Sequence, residues 1–378
     1  MPKRVKSLQF PPYLREVPEI FSNFDIIKVL GQGTYGVVFL SKLKQCHTFR
    51  QKYAMKFIIP SSPKSANSEL KSLQVLGKHP NVIELLSSVR YLDQVVLMFP
   101  FFKHEQFTDL LGLADLFDIC YYMHNLLKGL AYIHSKGIIH RDIKPANYLY
   151  NSNDRIGKII DFGLSIASTG EGPSNNSTVF KKPTVGTKRK LYAPTPVCSH
   201  NSASVCSTCM SQKVKRVPRA GTPGFRAPEV LFCSKQQTSA IDVWSAGVIL
   251  LSFLSKCYPF FHAKSDLHAL AEIISIFGSR ECINVADKLG ITITSSENIC
   301  GCGIEVFCNR IWRHNNDNGL LDQLIALVKN LLNIDPFSRI SAVSSLDSDV
   351  FNYCNSVDFD RYVGSMCIGL VGLCDIHK

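Results

Sequence analysis

Ile139-His140-Arg141-Asp142-Ile143-Lys144-Pro145-Ala146-Asn147-Tyr148-Leu149 places an aspartate, a lysine and an asparagine in a short polar loop between apolar runs. A carboxylate in such a loop can accept a proton from an incoming hydroxyl. The lysine can offset charge on a phosphoryl group in flight, and the amide oxygen can hold a divalent cation. A solvated polar loop could carry the same residues by chance. The rest of the chain decides between the two.

The 378 residues are enough for one large two-lobed domain or two ordinary ones. Charged residues make up 19% and hydrophobic ones 46%, the balance of a folded chain rather than a disordered one. A net charge of +12 favours acidic partners such as phosphates, acidic peptides or nucleic acid. Met1-Pro2-Lys3-Arg4-Val5-Lys6 has no apolar signal core, and the longest apolar run, Val243 to Leu254, is too short to span a bilayer. A reducing, intracellular setting is therefore expected, in which the 14 cysteines serve as metal ligands or buried thiols. No membrane partner is expected.

Residues 1–23, with Lys3, Arg4, Lys6 and Pro11-Pro12, read as a loose basic leader. Two strands and a tight turn follow from Phe24, around Leu30-Gly31-Gln32-Gly33-Thr34-Tyr35-Gly36-Val37-Val38. The spacing Gly31-x-Gly33-x-x-Gly36-x-Val38 lets backbone approach a polyphosphate. It also fits a dinucleotide site, but a helix would then open at the glycines, whereas Val37-Val38-Phe39-Leu40 continues as a strand. Tyr53 to Ile58 is a strand with one lysine, Lys56, in an apolar run, and Glu69 in the helical stretch from Ser68 is the best acid to pair with it. Val82 to Leu86 and Val95 to Phe99 read as the next two strands. Pro100 follows and cannot donate a backbone hydrogen bond, so a base bound there must use a neighbour such as Phe102, with Phe99 behind it. Ala114 to Ser135 has helical spacing.

Lys158-Ile159-Ile160-Asp161-Phe162-Gly163 brings a second carboxylate at the end of an apolar strand. Gly221-Thr222-Pro223-Gly224-Phe225-Arg226-Ala227-Pro228-Glu229, Asp242-Val243-Trp244-Ser245-Ala246-Gly247 and Asp335-Pro336-Phe337-Ser338-Arg339-Ile340 complete the series. Six motifs in this order resemble a eukaryotic protein kinase over residues 24–352. Lys144 and Thr222 match its serine/threonine branch.

That resemblance implies an α+β bilobal kinase fold. A small β-rich N-lobe (24–99) is joined by a hinge (100–103) to a larger, mainly α-helical C-lobe (104–352), with 353–378 as a tail. It implies ATP and Mg2+, with Leu30 to Val38 and Phe102 around the nucleotide and Lys56, oriented by Glu69, gripping the phosphates. Asp161 and Asn147 would hold magnesium, Asp142 would accept the hydroxyl proton and Lys144 would offset γ-phosphate charge. Arg339 would pair with Glu229 and hold the large lobe.

Asp161 and Glu229 lie much further apart than a compact activation segment needs, and the excess, about 168–217, is rich in Ser, Thr, Asn, Lys and Pro. Near its end Cys198, His200, Cys206 and Cys209 offer four ligands for a structural Zn2+. Cys300, Cys302 and Cys308 are spaced too irregularly to read as a site. The large insert, Pro100, Ile241 to Ile249 and Phe277-Gly278-Ser279-Arg280-Glu281 opening a second insert (about 281–310) resemble the cell division cycle 7-related kinases.

Membership implies a nuclear kinase activated by a Dbf-four-type regulatory subunit. Its substrates would be minichromosome maintenance helicase subunits, and its role the initiation of DNA replication. With the activation loop interrupted, the partner rather than Arg141 reading a loop phosphate is expected to order Glu69 against Lys56. Arg219, Thr222 and Arg226 surround the turn that touches the residue after the target hydroxyl, so an acidic or phosphorylated residue is expected there. Rival readings are another nuclear, partner-activated kinase, a pseudokinase scaffold, or a basic nucleic-acid module. The scaffold should lack a catalytic group and none is missing. Direct nucleic-acid binding is not expected, since the insert has few aromatics to stack on bases.

Overall fold

Side chains on β2 (Gly36–Leu43) and β3 (Lys52–Ile58) alternate between two faces, and the small lobe is built on that alternation. With β1 (Phe24–Gly33), β4 (Ser87–Tyr91) and β5 (Gln94–Pro100) they form an antiparallel sheet of order β1-β2-β3-β5-β4. The computed structural model describes residues 10–33, 36–44, 51–59, 63–168, 221–312, 319–352 and 354. Opposite partners Val38, Lys56 and Leu97 share one face, which turns toward the large lobe, and Val37, Phe57 and Val96 share the other.

That second face is covered by the chain's own N-terminal segment. Leu14, Val17 and Ile20 are buried with Val37, Phe39, Met55, Phe57 and Val96, and Phe10 and Phe21 pack against them. A short helix, α1 (Pro18–Asn23), leads directly into β1. Residues 10–23 are therefore folded, not a loose leader: their apolar side chains match an apolar sheet face that would otherwise meet water.

The fourth strand begins at Ser87, not Val82. Val82 and Ile83 are buried, but they join the large lobe instead of the small-lobe sheet: Ile83 donates its N–H to the Ile159 carbonyl, and Ile159 donates to Asn81. An apolar run of this length fits either kind of burial, so its pattern alone does not choose the partner. Helix α2 (Pro63–Leu76) carries Glu69 to Lys56 on the face toward the large lobe.

In the large lobe α3 (Phe107–Leu113) precedes α4 (Leu116–Ser135). Asp115 caps α4 reciprocally with Asp118, satisfying N-terminal amides that the helix cannot pair internally. The ribbons β6 (Ile138–Ile139) with β9 (Ile166–Ala167), and β7 (Tyr148–Asn151) with β8 (Ile156–Ile159), lie between α4 and the cleft. The longest apolar run becomes the core helix Ala240–Ser255, buried all round from Ile241 to Leu254. Among the described residues no helix is long and apolar enough to cross a membrane.

The second insert, expected over 281–310, holds two helices joined by a coil segment. Ser279–Lys288 and Glu305–Trp312 pack on the lobe, and the Trp312 indole donates to the Leu254 carbonyl. Cys282 and Cys308 are buried in this packing while Cys300 and Cys302 are exposed. No group of three metal-binding side chains occurs among the described residues. Arg339 forks onto both oxygens of Glu229 at 2.7 and 3.0 Å in the interior of the lobe, as the sequence led us to expect.

Candidate active site

The loop 139–149 is held by an acid at the start of the core helix. Asp242 is fully buried, and it accepts the backbone N–H groups of His140 and Arg141 at 2.8 Å each and the His134 ring at 2.9 Å. Burial alone would raise its pKa, but these bonds and the neighbouring histidines more than offset that and hold it below the ordinary carboxylate value. Arg141 adopts the left-handed conformation at φ 71°, a costly backbone state for a side chain with a Cβ. Asp242, bonding the amides of His140 and of Arg141 itself, fixes the entry to that strained turn. The sequence reading placed Asp242 at a helix start and missed this role. The available signal was a carboxylate opening an otherwise apolar run, where a buried charge needs partners.

The loop then assembles the reacting groups. Pro145–Asn147 forms one 3-10 turn, and Asn147 donates its amide N–H to the Asp142 carbonyl at 2.8 Å and to the Asp142 Oδ2 at 2.9 Å. Lys144 Nζ lies 2.8 Å from Asp142 Oδ2 and 2.6 Å from Thr222 Oγ1. The Thr222 hydroxyl donates to Asp142 Oδ1 at 2.7 Å. A hydroxyl is thus already seated against the carboxylate, within reach for proton transfer.

Across the cleft, Lys56 Nζ contacts both oxygens of Glu69 at 2.7 and 2.8 Å and Asp161 Oδ1 at 2.8 Å. Burial would lower the pKa of this lysine, but the two carboxylates outweigh it and leave Lys56 above its ordinary value, so it stays charged at neutral pH. Burial likewise opposes ionisation of Asp161, and Lys56 overcomes it, lowering that carboxyl. Asp161 sits at φ 65° while Phe162 behind it is fully buried, its ring 4.9 Å from that of His140. Helix α2 is pinned to this segment by Ser68, donating to the Ser165 carbonyl at 2.9 Å, and by the Ser72–Ser165 hydroxyl pair at 2.8 Å. Glu69 is thereby placed against Lys56 within the single chain. The two serines of α2 hold it there through Ser165.

A Cβ at Gly31 or Gly33 would meet nothing within 4 Å, leaving the turn open toward the cleft, whereas at Gly36 it would come 2.6 Å from the Phe57 carbonyl. Gly36 is therefore required by close strand approach. Thr34 and Tyr35 lie outside the described residues. At the hinge Phe99 is buried, Phe101 donates its N–H to Lys52, and the Phe102 carbonyl meets the His104 ring at 3.0 Å.

Asp161 and Asn147 suit magnesium. Asn147 spends its amide nitrogen on Asp142, and its remaining carbonyl oxygen together with the Asp161 carboxylate makes a hard-oxygen donor set.

The substrate-side arginines fare differently. Arg226 donates to Asp266 Oδ1 at 2.6 Å and to the Gly221 carbonyl at 2.5 Å, so its guanidinium is engaged inside the lobe and is not an open anion site. The carboxylate that claims it is 40 residues away in sequence, in the helix Asp266–Phe277, and local reading could not see it. Arg219, Cys198, His200, Cys206 and Cys209 lie outside the described residues.

A two-lobed fold with a lysine–carboxylate grip on one side of the cleft and a carboxylate–lysine–asparagine loop on the other defines an ATP-dependent phosphotransferase of the kinase class. The sequence profile for "Protein kinase domain" matches residues 24–204 and 205–351. Similar proteins include the cell cycle protein kinase spo4 of Schizosaccharomyces pombe, 32% identical over 89% of this chain and 87% of that one. The probable cell division control protein 7 homolog 1 of Encephalitozoon cuniculi is 32% identical over 87% and 86%. The human cell division cycle 7-related protein kinase is 30% identical over 78% and 72%. This chain belongs to the protein kinase family, in its cell division cycle 7-related serine/threonine branch.

Its activity is phosphorylation of protein serine and threonine in the cell cycle, with ATP and Mg2+. Magnesium, when bound with ATP, supplies charge neutralisation at the phosphates. In this arrangement Lys56, kept charged by Glu69 and Asp161, would position the nucleotide, Asp142 would take the hydroxyl proton and Lys144 would stand beside the oxygens that gain charge.

Proposed function

We propose that this kinase works in the nucleus with a Dbf-four-type regulatory subunit and phosphorylates helicase subunits of the minichromosome maintenance type to start DNA replication. Support comes from the cell division cycle 7-related relatives and from the +12 charge, which suits acidic substrate segments. The observation that carries a catalytic over a scaffolding role is the intact Lys56–Glu69–Asp161 cluster facing Asp142, Lys144 and Asn147. A kinase assay on the pure chain, with and without a co-expressed regulatory subunit, tests it. Phosphoryl transfer to helicase subunits only with the partner is the expected result, and no transfer in either case would refute it.

Substrate choice follows the same reading. An acidic residue after the target hydroxyl is preferred in this reading, with Arg219, three residues before Thr222 in sequence, as the guanidinium that receives it. Peptides differing only in Asp or Lys at that position should separate clearly in kcat/KM. Equal use of both would remove the preference. Cys198, His200, Cys206 and Cys209 hold one structural Zn2+ in this reading, since their insert has few apolar residues of its own to order it.

A further inference from the structure

The N-terminal segment does more than cover the sheet. Phe10 stacks on Phe39 with ring centres 5.5 Å apart and meets Phe57 edge-on at 5.4 Å, so the segment is anchored over the half of β2 and β3 nearest the glycine turn. The Arg15 N–H donates to the Gln94 side chain at 3.1 Å, and its guanidinium pairs with Asp93 at 2.5 Å, fixing the segment to the β4–β5 turn. Gln94 is itself fully buried and bonded to the Ile58 carbonyl at 2.8 Å. Between these two anchors stands Tyr13. Its hydroxyl accepts a hydrogen bond from Gln32 Nε2 at 2.7 Å. Gln32 lies between Gly31 and Gly33 on the strand end that approaches the nucleotide phosphates.

We propose that Tyr13 is a positioning residue for nucleotide binding, tethering the Gly31–Gly33 backbone through Gln32 to a segment locked on the far face of the small lobe. Gly31 and Gly33 meet no neighbouring atoms at their Cβ positions, and glycine backbone is intrinsically permissive. This backbone belongs to the sheet's edge strand and is paired on one side only, with Gly36–Val38, so a side-chain tether between two such residues adds a second restraint. The tether touches neither phosphate nor the transferred group. It therefore acts on nucleotide affinity by pre-organisation and leaves the chemical step alone. This rests on the kinase reading of the cleft, and the test separates the two.

The experiment measures Mg–ATP affinity of the full chain by calorimetry, for the parent, Tyr13→Phe, Gln32→Ala and the double variant, alongside thermal unfolding. Tyr13→Phe keeps the ring and removes only the hydroxyl. It should weaken nucleotide binding about threefold to fivefold, the worth of one net hydrogen bond in water, with an unchanged melting temperature. The double variant should bind no more weakly than Gln32→Ala alone, because both substitutions cut one tether. In the active enzyme the same loss should fall on KM for ATP and not on kcat. Unchanged affinity in Tyr13→Phe, or losses that add in the double variant, would overturn the proposal. Absence of Mg–ATP binding to the parent chain would instead overturn the kinase reading beneath it.

Discussion

Replacing Asp142 with Asn keeps the shape of the loop, since Asn147 and Thr222 can still find a bonding atom there, but removes the proton acceptor. The turnover rate should fall by about 10²–10⁴-fold while Mg–ATP affinity stays close to the parent's, measured by steady-state assay and calorimetry together. Near-normal turnover would mean that the base lies elsewhere. Asp242 makes a different prediction, because it works on the loop and not on the substrate. Asp242→Ala strands two buried amides, each costing about 1–3 kcal/mol, so the variant should unfold at clearly lower denaturant. Its folded pKa is depressed, so its stabilising contribution is complete above the unfolded carboxylate value of about 3.9 and is lost as pH falls through the folded one. An Asp242→Asn chain should therefore lose less stability than the parent on acidification over that window. Parallel stability curves would contradict this.

At the scale of elements, the Glu229–Arg339 pair ties the short helix Pro228–Leu231 to the end of the kinase domain, 110 residues on. Both side chains are buried, so Glu229→Ala leaves a guanidinium without its counter-charge and should cost about 3–5 kcal/mol of unfolding free energy. Removing both ends, Glu229→Ala with Arg339→Met, should recover part of that loss. A double variant as unstable as the two single losses summed would show that the residues do not act as a pair. The activation-segment insert carries a separate expectation: elemental analysis should find about one zinc per chain, lost in Cys206→Ser with Cys209→Ser. Metal content unchanged by that double substitution would exclude these thiols as ligands.

For the whole molecule, the two lobes meet across a cleft whose catalytic pairing is complete within one chain. A ligand or partner shifts an equilibrium only by its differential affinity for the two states, so the regulatory subunit proposed above would gain little by ordering a pair already made in the single chain. Its effect should appear in kcat toward protein substrates, with Mg–ATP affinity changed by less than about threefold. A large rise in nucleotide affinity on adding the subunit would restore the opposite view, that it completes the Lys56–Glu69 pair.

That Lys56, Asp142, Lys144, Asn147 and Asp161 come together at one cleft was legible in the linear chain because each residue sits in a short motif whose spacing its local backbone dictates, a loop turn or a strand end. The helix Leu116–Ser135 and the alternation of β2 and β3 were legible for the same reason: period and capping are local properties. Residues 10–23 read as a loose leader, and only their fit to the outer face of the sheet, complementary in three dimensions, turned them into part of the core. Val82 and Ile83 could have joined either lobe, and hydrogen bonds with the strand ending at Ile159 settled it. Arg226 offered a free guanidinium on paper until Asp266 came within 2.6 Å, and Asp242 became the anchor of the catalytic loop through contacts more than 100 residues distant. What sequence alone determined was the family and the candidate groups that gather at its cleft. Which charges are already paired, and which segments hold the site in place, depends on contacts between distant parts of the chain, and those exist only once the chain has folded.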